Sequence, residues 1–171
     1  MTAPFVEVID QGALQARVAE LGREITGTLA EDDPVVVGVL KGSVPFLTDL
    51  TRHLPLTVEI DFLNLTRFGR EGRVSIAMDL SVSVEGRGVL IVEDIVDTGH
   101  TLNYLIGMLE SHNPASVKTC ALVRKAERAE VDVDVDYLGF DIPDKWVVGY
   151  GLDYAEQNRT LPYIGTITPT D

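Results

Sequence analysis

The chain has one cysteine, one tryptophan and three histidines in 171 residues. The lone Cys120 excludes an intrachain disulfide, and its place inside the apolar run Val117–Val123 marks a buried, inert thiol rather than a nucleophile. His53, His100 and His112 have no partners at zinc-ligand spacing, so they read as surface residues. Basic side chains are scarce: 14 Lys and Arg stand against 27 Asp and Glu, for a formal net charge of −13 and a pI near 4.5. That balance argues against nonspecific nucleic-acid binding, which relies on cations to neutralise phosphates. It also repels any anionic ligand at long range, so such a ligand must be captured locally. No run approaches the roughly 18 consecutive apolar residues of a membrane span. The first ten residues lack the basic-then-apolar layout of a signal peptide. Cytoplasm is the expected location, with no membrane and no nucleic-acid partner.

Two common nucleotide-binding motifs are missing as well. Lys41 precedes Gly42, the wrong order for a Walker A loop, and Gly149-Tyr150-Gly151 lacks the third glycine and the following helix of a dinucleotide fingerprint. What is present is an ordinary globular composition, 45% hydrophobic and 24% charged, long enough for a single domain over residues 1–171. No internal repeat, low-complexity linker or second boundary is visible.

Leu14, Val18, Leu21, Ile25 and Leu29 recur at three- and four-residue steps and predict an amphipathic packing helix. Val35–Leu40 reads as a strand, followed by Lys41-Gly42-Ser43 and a helical segment with Phe46, Leu47 and Leu50. Thr57–Leu65 alternates as a strand, and Arg67–Arg73, with two glycines and four charges, reads as a mobile loop before a returning strand at Ser75–Asp79. Further strands are expected at Val117–Val123, Leu138–Phe140 and Val147–Tyr150. Strand alternating with helix is the signature of an α/β fold built on a parallel sheet.

The most informative stretch is Val89-Leu90-Ile91-Val92-Glu93-Asp94-Ile95-Val96-Asp97-Thr98-Gly99-His100-Thr101. Four apolar residues predict a strand buried on both faces. Adjacent carboxylates, Glu93 and Asp94, are expected just after it, then Asp97 and a Thr-Gly-x-Thr turn into a helix with Leu102, Leu105, Ile106 and Leu109. Ligands of open α/β sheets bind beyond the carboxyl ends of the strands, and a helix N-terminus there offers N–H groups to an anion. Acids beside a phosphate cradle make sense once a cation or a polyhydroxyl sugar lies between them.

This segment resembles the phosphoribosyl-diphosphate signature of the type I phosphoribosyltransferases, and Asp97 places the likeness in the 6-oxopurine (hypoxanthine-guanine) branch. Leu122–Lys125 and Ile142–Tyr154 are similar to the base-recognition segments of that branch. The resemblance implies a type I phosphoribosyltransferase fold with a central parallel sheet, flanking helices and a small hood from the N- and C-terminal segments. It implies purine salvage: phosphoribosyl passes from 5-phosphoribosyl 1-diphosphate to N9 of hypoxanthine or guanine. Lys41, Gly42 and Arg159 would hold the diphosphate; Glu93 and Asp94 the ribose hydroxyls and magnesium; Asp97, Thr98, Gly99, His100 and Thr101 the 5′-phosphate. Asp97 would also be the catalytic base at purine N7. Lys125 would donate to O6, Trp146 would stack on the ring, Val147 would read its edge, and Asp153 would hold a second Mg²⁺. The Lys41–Gly42 peptide would be open to a cis form.

The chain departs from the family at Thr66-Arg67-Phe68-Gly69, where Ser-Tyr is usual: the aromatic is kept, its hydroxyl is lost and a charge is added. The closing loop would then act over the diphosphate through its backbone amides, with Arg67 adding electrostatic capture. The family's small-molecule substrates and its homodimeric or homotetrameric assembly would carry over. Two rivals fit less well. A pyrimidine phosphoribosyltransferase that regulates RNA usually lacks the acid at position 97, and a noncatalytic nucleotide sensor is expected to carry an attached DNA-binding segment.

Overall fold

Hydrophobic runs in the strands and stripes in the helices sort the chain into a three-layer arrangement. The computed structural model describes residues 6–29, 33–68 and 73–168. Its larger sheet has six strands in the order β4-β3-β2-β5-β6-β7: Arg73–Met78 (β4), Glu59–Phe68 (β3), Val35–Leu40 (β2), Gly88–Val96 (β5), Ser116–Arg124 (β6) and Tyr137–Asp141 (β7). All neighbours are parallel except β4, which pairs antiparallel with β3.

Period-two alternation divides each central strand between two cores. Val36, Leu90, Val92, Cys120 and Leu122 face α1 (Gln11–Leu29) and α2 (Val44–Arg52). Val35, Val37, Val89, Ile91 and Ala121 face the other layer, α3 (His100–Glu110). Both faces are therefore covered, as the unbroken apolar runs require. All five residues of the predicted N-terminal stripe are fully buried in α1, and Cys120 is buried in the first core, where burial pushes its thiol pKa up. The three histidines are exposed.

The topology also locates the cleft. The chain leaves β2 through α2 toward β3 on one side, and leaves β5 through α3 toward β6 on the other. Adjacent strands whose connections part in this way open a crevice at their carboxyl ends.

A separate three-stranded sheet, β1-β9-β8, joins Val6–Ile9 (β1) to Ile164–Thr166 (β9) and Val147–Val148 (β8). It brings the two ends of the described chain together beside the site.

Several boundaries differ from expectation. β3 runs to Phe68 and β4 begins at Arg73, so the expected 67–73 loop begins later and ends earlier; its residues 69–72 lie outside the described residues. β5 does not stop at Val92 but continues through Glu93 and Asp94 to Val96, because β6 stays in register alongside it as far as Val96↔Arg124. The acids thus belong to the strand itself. The cis peptide is Leu40–Lys41, one residue before the expected Lys41–Gly42.

Candidate active site

A cavity of about 280 Å³ lies beyond the ends of β2 and β5, lined by Leu40, by Glu93 through Val96, and by Asp97, Thr98, Gly99 and Thr101. Gly99 stands at the N-cap of α3 with φ of 89°, a backbone region that favours glycine, and it brings no side chain over the helix end. The turn can therefore present first-turn N–H groups to an anion. His100 is exposed and turned aside, its Nε2 lying 2.9 Å from Glu130.

A second cavity of about 190 Å³ adjoins the first across Asp94, Ile95 and Asp97. Its remaining lining is Lys125, Arg128, Trp146, Val147, Leu152 and Asp153. Lys125 is only 6% exposed, with Asp144 at 3.6 Å from its ammonium. A buried ammonium is a donor alone and calls for an acceptor from whatever enters the pocket. Trp146, by contrast, is half-exposed at the rim, its Nε1 donating to the Asp153 carbonyl and its ring edge-on to Tyr154. An open tryptophan face beside a slot suits a planar ligand.

The acids differ in environment. Glu93 is buried at 5% exposure. Asp94 accepts from the Ile95 N–H at 2.9 Å, yet burial dominates and pushes its carboxyl up to about 6. Gly42 explains part of that enclosure: any Cβ at position 42 would run into the Asp94 carboxylate, so the turn after β2 can close on β5 only through glycine. Asp97 lies between the cavities, with Arg128 Nε 2.8 Å from its Oδ1.

The cations expected for a diphosphate meet across the mouth. Lys41 Nζ lies 2.7 Å from Glu156 Oε2, and Arg159 contacts Glu156 at 3.2 Å, Asp153 at 2.9 Å and the Gly151 carbonyl at 2.7 Å. Lys41 holds Glu156 below the usual carboxylate range. The loop carrying Gly151 is pinned from behind, where the Tyr150 hydroxyl donates to Asp49 Oδ2 on α2 at 2.6 Å.

Two halves of the site are stitched together through the backbone. The Lys125 N–H donates to Val96 O, and the Glu130 and Val131 N–H groups both donate to Thr98 O. The segment bearing Lys125 and Arg128 thereby hangs on the turn that bears Asp97.

The sequence-predicted residues Glu93, Asp94, Asp97, Thr98, Gly99, Thr101, Lys125, Trp146, Val147 and Asp153 come together around the two cavities. Lys41, Gly42 and Arg159 sit at their edge, whereas the side chains of Arg67 and Phe68 lie outside the described residues. Arg128, Asp144 and Glu156 were not foreseen. Charged residues spaced irregularly outside the long helices and strands leave no periodic signal; only their nearness to Lys125, Trp146 and Asp153 in sequence points toward them.

A family model described as phosphoribosyl transferase domain matches residues 7–155. The hypoxanthine-guanine phosphoribosyltransferase of Bacillus subtilis is 43% identical over 166 residues, covering 95% of this chain and 92% of the relative. A crystal structure of a hypoxanthine-guanine phosphoribosyltransferase from Bacillus anthracis superposes with a TM-score of 0.92 at 40% identity, over 95% of this chain and 98% of that one. The bifunctional protein TilS/HprT of Listeria monocytogenes is 45% identical over 166 residues, and the chain spans 26% of its length.

Proposed function

Since the chain belongs to the phosphoribosyl transferase family, in its hypoxanthine-guanine branch, we propose that it makes purine nucleotides by salvage. Phosphoribosyl passes from 5-phosphoribosyl 1-diphosphate to N9 of hypoxanthine or guanine, with diphosphate leaving. The observation that carries this reading is the pair of adjoining cavities that share Asp94, Ile95 and Asp97, one opening on the Asp97–Thr101 turn and the other on Lys125 and Trp146.

In this reading the N–H groups and hydroxyls of Thr98, Gly99, His100 and Thr101 hold the 5′-phosphate. The purine enters beside Trp146, with O6 accepting from Lys125 and its edge read by the backbone of Val147. As N9 bonds to C1′ and the bond to diphosphate breaks, Asp97 takes the N7 proton. Lys41 and Arg159 meet the charge growing on the leaving group. Arg67 and Phe68 belong to the segment that closes over the cleft and excludes water.

Among the described residues no cluster of three or more His, Cys, Asp or Glu forms a closed metal cage. The donor set still fits magnesium, which keeps several waters and binds through one or two carboxylates plus substrate phosphates. Glu93, Asp94 and Asp153 are the carboxylates that would hold it; bound, it would neutralise diphosphate charge. The β1-β9-β8 sheet serves as the hood, and the enzyme works in the cytoplasm as a homodimer or homotetramer. Among the described residues no helix is long and apolar enough to cross a membrane.

A steady-state panel of hypoxanthine, guanine, xanthine and adenine, with 5-phosphoribosyl 1-diphosphate and magnesium, tests the reading. Nucleotide should form from 6-oxopurines and not from adenine. Failure to convert any of the four would overturn it.

A further inference from the structure

Lys41 and Arg159 both aim at one exposed carboxylate. Glu156 Oε2 accepts from Lys41 Nζ at 2.7 Å, while Glu156 Oε1 accepts from Arg159 at 3.2 Å. One anion with two oxygens thus bridges two cations at the mouth of the cleft. We propose that Glu156 is a placeholder for the diphosphate, its carboxylate bridging Lys41 and Arg159 in the free enzyme and giving way when substrate oxygens take those cations. The inference rests on the phosphoribosyl transfer proposed above.

Three observations support displacement rather than permanent pairing. The Lys41 and Glu156 side chains are 63% and 65% exposed, and ion pairs this open to water are weak and easily exchanged. Arg159 has other anchors in Gly151 O and Asp153, so it keeps its position when Glu156 leaves. The Lys41 ammonium has no further partner among the described residues and is free to follow the ligand.

The backbone holds Glu156 in place while leaving its side chain mobile. Ala155 and Glu156 take φ of 52° and 63°, a left-handed region that costs an L-residue energy. The turn is kept there by Glu156 N–H donating to Asp153 Oδ2 at 2.8 Å and by reciprocal Tyr154–Gln157 backbone bonds. Rotation of the Glu156 side chain alone uncovers the Lys41 ammonium and removes one of the two carboxylates held by Arg159. The device suits a protein of net charge −13, in which two cations facing one another need an anion between them until the ligand arrives. It also favours departure of product diphosphate, because Glu156 competes for the same two groups.

Calorimetric titration with inorganic diphosphate and magnesium chloride tests the proposal in wild type, Glu156→Gln and Glu156→Ala. Both variants should bind diphosphate roughly 3–10-fold more tightly at low salt, the range expected for relief of exposed ion pairs. The gain should shrink toward 1 M salt, where the Debye length is about 3 Å, and vanish in a Lys41→Gln background. KM for 5-phosphoribosyl 1-diphosphate should fall by a similar factor. Equal or weaker diphosphate binding in both variants overturns the placeholder and makes Glu156 a fixed support for Lys41 and Arg159. Absence of diphosphate binding in the wild type overturns the proposed function itself, and the placeholder with it.

Discussion

Arg128 Nε stands 2.8 Å from Asp97 Oδ1, and the same guanidinium lies 3.5 Å from Asp144. The acid at the junction of the two cavities therefore faces a cation supplied from the second cavity, the one proposed for the purine. Asp97→Asn should lower kcat by about 10²–10⁴-fold, the usual span for a lost general base. Arg128→Gln, at a pair whose members are 44% and 41% exposed, should change kcat/KM for the purine by no more than about tenfold. Steady-state kinetics on both variants checks the ranking; an Asp97→Asn enzyme with the parental kcat removes Asp97 from the chemistry.

Lys125 is expected to choose between 6-oxo and 6-amino purines. Adenine would set a donor against a buried donor, a mismatch that can discriminate by about 10⁴-fold. Wild type should prefer hypoxanthine over adenine by a factor of that order, and Lys125→Ala should erase most of the preference. Measured kcat/KM ratios for the two bases decide the matter.

Asp94 links the site to stability. Its carboxyl, pushed up to about 6 from an ordinary 3.8 mainly by burial, binds its proton more tightly folded than unfolded. The stability tied to that proton is fully present below about pH 4 and is lost as pH rises through 6. Asp61, Asp136 and Asp141 are shifted the opposite way and lose their contribution as pH falls, so the wild-type profile alone mixes both signs. In metal-free protein, Asp94→Asn should be more stable than wild type above pH 6, by no more than about 3 kcal/mol, and so melt higher, with the difference closing near pH 4. Thermal melts of the pair across pH 4–8 give the answer, and a constant offset would count against the shift.

Arg67→Ser tests whether an arginine in the segment proposed to close over the cleft assists capture of an anion by an acidic protein. KM for 5-phosphoribosyl 1-diphosphate should rise up to about tenfold at low salt and less at high salt, since exposed charges are screened. Phe68→Tyr should be nearly silent. An unchanged KM across the salt range would leave Arg67 without a role in binding.

Much of this was legible because buried strands and stripes carry strong periodic signals. The α1 stripe, β2 and the β5–turn–α3 unit can be read directly from residue order. Strands β1 and β9, only four and three residues long, were invisible, because their pairing depends on the two ends of the chain meeting. The end of β5 was misjudged for a related reason: charged Glu93 and Asp94 look like a strand terminus, yet β6 continues the ladder past them. Arg128 and Glu156 escaped since their partners, Asp97 and Lys41, are set by tertiary proximity and not by spacing.

Thr98 O receives two N–H groups from the segment that follows Lys125 and Arg128, so a single carbonyl serves as the seam between the two cavities proposed for sugar-phosphate and purine. Neither half can shift without tugging on the other. Substitutions on opposite sides of that seam should then behave non-additively: a change made in the phosphate turn will register in the affinity for the purine, and a change beside the purine in the affinity for the sugar. If each cavity takes one substrate as proposed, the protein would feel the two as one event.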